Sequence, residues 1–207
     1  MDYNQPTCHI VAGPNGAGKS TFARSYILDY VKGGKYLNAD DMAKELCPDD
    51  PGSVQGLAGI QFLEAVQEHI ERREDFAFET TLSGGCFYPK IRRWRGEHWN
   101  VVLYYLYIPS ALFSLQRVRQ RVSMGGHDIP EKDIFRRYPR SLANLFRYSE
   151  VCDMTLCFDN SGTVMLPIFE RMIGCEINVI DPAIFSEIER FLHRQPLGEA
   201  RDMKEEG

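Results

Sequence analysis

The chain has 207 residues, 43% hydrophobic and 26% charged, with a formal net charge of −5. This composition excludes a wholly disordered chain and a collagen-like repeat, and it supports a buried core without disulfide staples. An acidic balance, 24 Lys and Arg against 29 Asp and Glu, argues against a general nucleic-acid binder.

In chain order, apolar runs alternate with amphipathic stretches. That alternation predicts an α/β fold, helices flanking a parallel sheet. Five core strands are expected, over Cys8–Ala12, Lys35–Asn38, Phe76–Thr80, Val101–Ile108 and Thr155–Phe158. Helices are expected over Lys19–Val31, Asp40–Leu46, Leu57–Arg73, Phe87–Glu97, Ala111–Met124, Glu131–Tyr148 and Pro182–His193. In the third of these, Leu57, Ile60, Leu63, Val66 and Ile70 recur at helical spacing. Val164–Asp181 is expected to add pairing after the core sheet, with a turn near Gly174. The pattern reads as one domain over residues 1–195, with a lid at 114–147, and a polar tail over 196–207.

Charge is unevenly spread. Between Lys90 and Arg147 there are twelve basic and four acidic residues. A basic middle in an acidic chain points to a localised anionic ligand. Cys8, Cys47, Cys86, Cys152, Cys157 and Cys175 show no CxxC spacing and read as reduced core thiols of a cytoplasmic protein. Met1–Thr7 carries neither a basic nor an apolar leader pattern, and the run Val101–Phe113 is too short for a membrane span, so neither a signal peptide nor membrane association is expected.

The strongest motif is Gly13-Pro14-Asn15-Gly16-Ala17-Gly18-Lys19-Ser20, which fits GxxxxGK[ST] at every fixed position, between a strand pattern and a helix pattern. Glycines there let backbone N–H groups turn inward around phosphate oxygens. The following helix directs its positive end at the same anion. Lys19 is expected on the β and γ phosphates, and Ser20 on Mg²⁺. With Thr21 the stretch reads GPNGAGKST, also common in transporter-type ATPases, and Leu82-Ser83-Gly84-Gly85 resembles their signature loop. Those ATPases need a following strand that ends in Asp-Glu, whereas here the strand ends Leu106-Tyr107-Ile108-Pro109. Asp159-Asn160-Ser161-Gly162 matches a GTPase DxxG, but no guanine-reading NKxD exists.

A small-molecule kinase remains, which needs a base, an acceptor pocket and a basic lid. Asp40, just past the second strand, is the base candidate; the competing role is a helix N-cap, for which Asp41 serves equally. Glu79-Thr80-Thr81 closes the third strand on the ligand edge, either to bind substrate hydroxyls, to orient Mg²⁺ through water, or merely to end the strand. The lid candidate holds Arg117, Arg119, Arg121, Arg136, Arg137 and Arg140, with Gly125-Gly126 as a hinge. A solvated basic face is its plainer reading. His127 either touches phosphate or steadies its loop, His9 belongs to core or surface, and Trp94 and Trp99 pack at a sheet edge.

The ordered set Gly13–Ser20, Leu37-Asn38-Ala39-Asp40, Phe78-Glu79-Thr80-Thr81-Leu82, Arg117-Val118 with Arg121-Val122, Gly125-Gly126-His127-Asp128-Ile129-Pro130 and Phe158-Asp159-Asn160-Ser161 resembles the zeta-toxin-like P-loop kinases, over about residues 7 to 194. Within that group it resembles more closely the short bacterial branch often labelled predicted ABC-type ATPase. The resemblance implies a P-loop kinase fold and phosphorylation by ATP and Mg²⁺ of a nucleotide-sugar hydroxyl, UDP-N-acetylglucosamine in zeta toxins. It implies Asp40 as catalytic base, Lys19 as phosphate-binding lysine, Arg121 as the first lid arginine, and Asn38, Glu79 and Thr81 in the acceptor stretch. Arg117 and Arg137 join the ATP-binding set; His127 stands where the toxins carry their second lid arginine, a place that Arg136 or Arg137 could fill. A small-molecule acceptor and an antitoxin protein are the implied partners. The alternatives are an ATP-binding regulatory ATPase and, on the strength of the basic lid, an RNA-end kinase.

Overall fold

The computed structural model describes residues 5–29, 31, 35–126 and 128–194. The expected tail and His127 lie outside the described residues. The central strand β1 (Thr7–Ala12) pairs in parallel with β3 (Phe76–Thr80) on one side and with β4 (Asn100–Tyr107) on the other. Outward of these, β2 (Tyr36–Leu37) pairs with β3 and β5 (Met154–Asp159) with β4, again in parallel. These are the five expected strands, but the sheet has seven. β6 (Leu166–Met172) and β7 (Asn178–Val179) extend it antiparallel beyond β5. Residues 160–165 are too few for a crossover helix, so the chain turns back on itself there. The turn into β7 passes through Gly174, at φ 73°.

The helices are α1 (Lys19–Phe22), α2 (Ala39–Leu46), α3 (Gln55–Arg72), α4 (Phe87–Gly96), α5 (Ala111–Ser123), α6 (Glu131–Ser149) and α7 (Pro182–Arg194). A 3₁₀ turn, Pro51–Val54, precedes α3. α1 does not continue as regular α-helix: it passes into a π-helix, Ala23–Ile27, where Leu28 N–H donates to the Ala23 carbonyl at 3.1 Å.

The core explains why the parallel strands read as continuous apolar runs. Both sheet faces are covered, so Ile10, Val11, Phe76, Phe78, Leu103 and Leu106 have no exposed surface. Aromatic rings lock the layers together, Phe78 against Phe87 at 4.7 Å and Phe76 edge-on to Trp99 at 5.9 Å. Cys8, Cys152 and Cys157 belong to this core, whereas Cys86 and Cys175 are exposed; the core-thiol expectation holds for half the set.

α5 and α6 enclose a small second cluster of Leu115, Val118, Ile129 and Ile134, with Val122 packed against it. The basic segment therefore has its own apolar floor. α6 runs straight through Pro139, which lacks an N–H to donate. Its buried stripe of Tyr138, Leu142, Leu145 and Tyr148 holds it helical through tertiary packing. Among the described residues no helix is long and apolar enough to cross a membrane.

The chain leaves β1 toward β2 on one side and later returns to β4 on the other. A crevice opens where such a sheet reverses its strand order, at the carboxyl ends of the strands. Every motif singled out in the sequence with a catalytic role sits on that edge or on the α5–α6 hairpin.

Candidate active site

The loop between β1 and α1 has the backbone that its glycines predict. Gly13, Gly16 and Gly18 adopt φ of 142°, 72° and 86°. At Gly13 a Cβ would lie 2.4 Å from the Leu106 carbonyl oxygen, so only glycine fits. Ala17 N–H closes the turn on the Pro14 carbonyl at 3.2 Å. Lys19 Nζ donates to that same carbonyl at 3.0 Å, and the lysine is 6% exposed. Thr21, by contrast, is exposed on the outer side of α1.

Lys19 is a buried cation whose carboxylate neighbour, Glu79 Oε1, stands 3.8 Å away. An ammonium has three protons to donate, so this one suits an incoming anion. Together with the inward-turned glycine backbone, it fits a nucleoside polyphosphate. Burial holds the Lys19 amine below the ordinary 10.5; Glu79 and Asp40 pull it back up, and Arg121 pushes it further down. Only the protonated amine grips phosphate. Affinity for an ATP analogue should therefore be flat at neutral pH and fall on the alkaline side before an exposed lysine would titrate. Calorimetric titrations between about pH 7 and pH 11 check this, and unchanged affinity across that range would refute it.

Glu79 is the polar centre of the crevice. Its Oε2 accepts from Ser20 Oγ at 2.7 Å, from Asn38 Nδ2 at 3.1 Å and from the Tyr36 hydroxyl. Of these groups, the Glu79 carboxylate and the Ser20 hydroxyl are hard oxygens of the kind Mg²⁺ takes. No cluster of three His, Cys, Asp or Glu able to hold a metal occurs among the described residues. The donor set thus fits a Mg²⁺ ion held by Ser20 and by the nucleotide's own phosphates.

The cap of α2 is Asn38, whose Oδ1 accepts from Asp40 N–H at 2.8 Å. That removes the N-cap role from both Asp40 and Asp41. Asp40 sits half-buried in the first turn, close enough for its charge to act on Lys19. Asn38, expected at the acceptor, has both ends of its amide engaged inside the protein and is 7% exposed.

The arginines of the basic segment separate into distinct jobs. Arg121 lies in the last turn of α5, one turn beyond Arg117, and its charge acts on Lys19. Gly126 supports it: a Cβ there would lie 2.5 Å from Arg121 Cγ. Gly125 and Gly126 are not a free hinge. Gly126 N–H donates to the Arg121 carbonyl and Gly125 N–H to that of Val122, both at 2.9 Å, with Gly125 at φ 85°. That is a Schellman stop, and it ends α5. Arg117 donates to the carbonyls of Asn160 at 2.7 Å and Ser161 at 3.1 Å, and its guanidinium lies over Phe113 at 4.7 Å. Arg119 pairs with Glu131 and Arg136 with Asp133, on the surface. Arg137 is half-buried on α6, and its described charge neighbour is Asp133 rather than the phosphate loop.

Beyond β3 the chain is pinned in a strained turn. Leu82 is buried at φ 56°, a left-handed backbone that costs a non-glycine residue roughly 1–2 kcal/mol. Its N–H donates to Thr80 Oγ1 at 3.1 Å, and its carbonyl accepts from Asn144 Nδ2 at 2.7 Å. Tyr148 donates to the Gly84 carbonyl at 3.1 Å. The turn presents Thr81, whose hydroxyl meets Ser83 Oγ at 2.9 Å. The Leu82–Gly85 stretch is a loop between β3 and α4, held to α6 by Asn144 and Tyr148.

Three braces of the phosphate loop come from distant chain segments. Asn160 Nδ2 donates to the Ala17 carbonyl at 2.8 Å and stands against Gly18. Ser114 Oγ donates to the Asn15 carbonyl at 2.6 Å. Arg117 packs its Cβ against Gly16. The first half of α5 is thereby bolted to the loop, and Arg121 is carried one turn beyond the last bolt. A groove of about 380 Å³ on α3 and α4, lined by Ile60, Leu63, Glu64 and Lys90 among others, shares no residue with this site.

The family model described as Zeta toxin matches residues 1–168. The chain belongs to the Zeta toxin family. An uncharacterized protein of Haemophilus influenzae (strain ATCC 51907 / DSM 11121 / KW20 / Rd) is 31% identical over 126 residues, covering 61% of this chain and 88% of that one. Among solved structures, the AvrRxo1-ORF1:-ORF2 complex with ATP contains a chain similar at TM-score 0.69 and 17% identity, with 93% of this chain covered. This chain spans 65% of that one's length. A chain of the PezAT toxin-antitoxin system of Streptococcus pneumoniae is similar at TM-score 0.56 and 14% identity, covering 93% of this chain and 88% of that one. The fold is that of P-loop kinases.

In this chain of the Zeta toxin family, part of the expected set comes together, and Arg137 does not join it. Lys19, Ser20, Asp40, Glu79 and Arg121 gather on one edge of the sheet. Tyr36, Ser114 and Asn160 had no role in the sequence reading. For Asn160 a signal existed, its place in the family pattern beside Asp159; for Tyr36 only alternation along the strand hinted at the face it shares with Asn38.

Proposed function

We propose that this protein is an ATP- and Mg²⁺-dependent phosphotransferase acting on a hydroxyl of a small molecule, with UDP-N-acetylglucosamine as the first acceptor to test. The observation that carries the reading is the phosphate loop with buried Lys19 on its Pro14 carbonyl, Ser20 and Glu79 beside it, and Asp40 in the first turn of α2 at the same sheet edge. In this mechanism the loop N–H groups and Lys19 bind the β and γ phosphates. Mg²⁺, held by Ser20 and steadied through Glu79, would neutralise phosphate charge. Asp40 takes the proton of the acceptor hydroxyl as its oxygen bonds to the γ-phosphorus. The bond from that phosphorus to the β–γ bridging oxygen breaks, and ADP leaves. Arg121 offsets the charge developing on the transferred group. Arg117 closes the nucleotide side, and Thr81, presented by the strained turn, meets the acceptor.

Phosphoryl transfer is tested by mass spectrometry of UDP-N-acetylglucosamine incubated with protein, ATP and Mg²⁺, with Lys19→Ala as control. A product one phosphate heavier, absent from the control, establishes class and acceptor together. No product there, with transfer to other sugars, would keep the class and change the acceptor. The likeness to a chain of the PezAT toxin-antitoxin system, and to a chain of the two-component AvrRxo1-ORF1:-ORF2 structure, supports an antitoxin protein as partner. A second reading, an RNA-end kinase, draws on the basic segment and on a fold likeness at TM-score 0.54 to a chain of the Pnkp1/Rnl/Hen1 RNA repair complex. The surface pairs of Arg119 and Arg136 weaken it by using up two of the cations. Transfer to an oligonucleotide 5′-hydroxyl would establish it instead.

A further inference from the structure

One carboxylate oxygen in the crevice serves three donors. Glu79 Oε2 accepts from Ser20, Asn38 and Tyr36, while Oε1 is turned to Lys19. The strand register explains the convergence. Tyr36 lies opposite Ala77 and Leu37 opposite Phe78, so Tyr36 and Asn38 share the sheet face of Glu79. Two of these donors have other duties: Ser20 belongs to the phosphate loop, and Asn38 caps α2. The Tyr36 ring is half-buried, and burial first, then the Glu79 charge, pushes its phenol upward, so its hydroxyl keeps its proton.

We propose that Tyr36 is a positioning residue: it anchors Glu79 Oε2 as acceptor of the Ser20 proton, so that the Ser20 lone pairs face a divalent cation bound with the nucleotide. The inference rests on the nucleotide-binding reading of the phosphate loop. A serine hydroxyl has one proton and two lone pairs, so fixing where the proton goes fixes where the lone pairs point. Glu79 stands between two claims, the Ser20 hydroxyl on one side and the Lys19 ammonium on the other. Without the Tyr36 anchor, the 3.1 Å bond from Asn38 is the remaining backing for Oε2 against the pull of Lys19 on the carboxylate. The Ser20 hydroxyl then loses its fixed acceptor, and its O–H can rotate toward the cation in place of a lone pair.

The test is calorimetric titration of the full chain with the non-hydrolysable analogue AMP-PNP, once with Mg²⁺ and once in EDTA. Four proteins are compared: unaltered, Tyr36→Phe, Glu79→Gln and the double variant. Tyr36→Phe should weaken the Mg²⁺ complex about tenfold, the scale of one hydrogen bond to a charged group. It should leave metal-free binding within about twofold and add nothing in the Glu79→Gln background. The metal-free titration doubles as a check that the variant is folded. Equal weakening in both titrations, no weakening in either, or additive losses in the double variant would overturn the role of Tyr36 alone. Absence of nucleotide binding by the unaltered chain would overturn the proposed function with it.

Discussion

Replacing Asp40 by Asn should abolish phosphoryl transfer while leaving ATP binding in place. The geometry makes this a clean substitution. The cap of α2 uses the Asp40 backbone N–H and the Asn38 side chain, so a change at the Asp40 carboxylate leaves that bond untouched. Asn keeps the shape of Asp and removes its charge, and with it the ability to accept a full proton. The local cost is the loss of a carboxylate from a helix's first turn, about 0.3–1 kcal/mol, which a chain of this size tolerates. Loss of a general base typically slows the chemical step by about 10²–10⁴-fold. Measured turnover should fall by that amount, with the affinity for AMP-PNP within a factor of about two, since the phosphate grip resides in Lys19 and the loop backbone. Transfer by the variant at an undiminished rate would remove Asp40 as the base and leave the acceptor proton to another group.

Gly13→Ala should be the most disruptive single-methyl change in the site. The residue sits at φ 142°, where a side chain is strained in any surroundings. The added Cβ would meet the Leu106 carbonyl oxygen at 2.4 Å. That oxygen belongs to the backbone of β4, flanked by β1 and β5, so it cannot rotate away as a flexible side chain would. Strain and overpacking together should cost about 3 kcal/mol. For a chain of this length that lowers Tm by roughly 6–12 °C. ATP affinity should be lost as well, because the loop can relieve the clash only by moving its N–H groups. Gly59→Ala is the contrasting control. It lies within α3 with nothing within 4 Å of its would-be Cβ, so it should stabilise the protein by about 0.5–1 kcal/mol. Equal melting temperatures for the two variants would show that Gly13 is not held as described.

What was legible in the sequence shares one property: its information is local. Eight contiguous residues carry the phosphate loop, and its glycine spacing dictates a backbone that the structure reproduces. The buried parallel strands β1, β3 and β4 read as apolar runs, β2 and β5 were placed beside them in chain order, and helical spacing placed α3 within a few residues of its ends. The outer strands were only outlined as further pairing, because β6 and β7 are partly exposed and lack a continuous apolar run. The Gly125-Gly126 pair shows the limit of reading a residue type without its bonds. Its flexibility suggested a hinge, but two backbone hydrogen bonds to α5 make it a stop that holds Arg121 in place.

The sequence by itself determined the phosphate loop, the parallel sheet and the family. Tertiary structure decided which neighbours make that loop work. Tyr36 reaches Glu79 across 43 residues, Ser114 reaches Asn15 across 99, and Asn160 reaches Ala17 across 143. Tyrosine, serine and asparagine are common residues with no spacing signature, and a hydrogen bond acts only within about 3 Å. Only the register of β2 on β3, and the return of β5 and α5 to the crevice, brings these side chains within that distance.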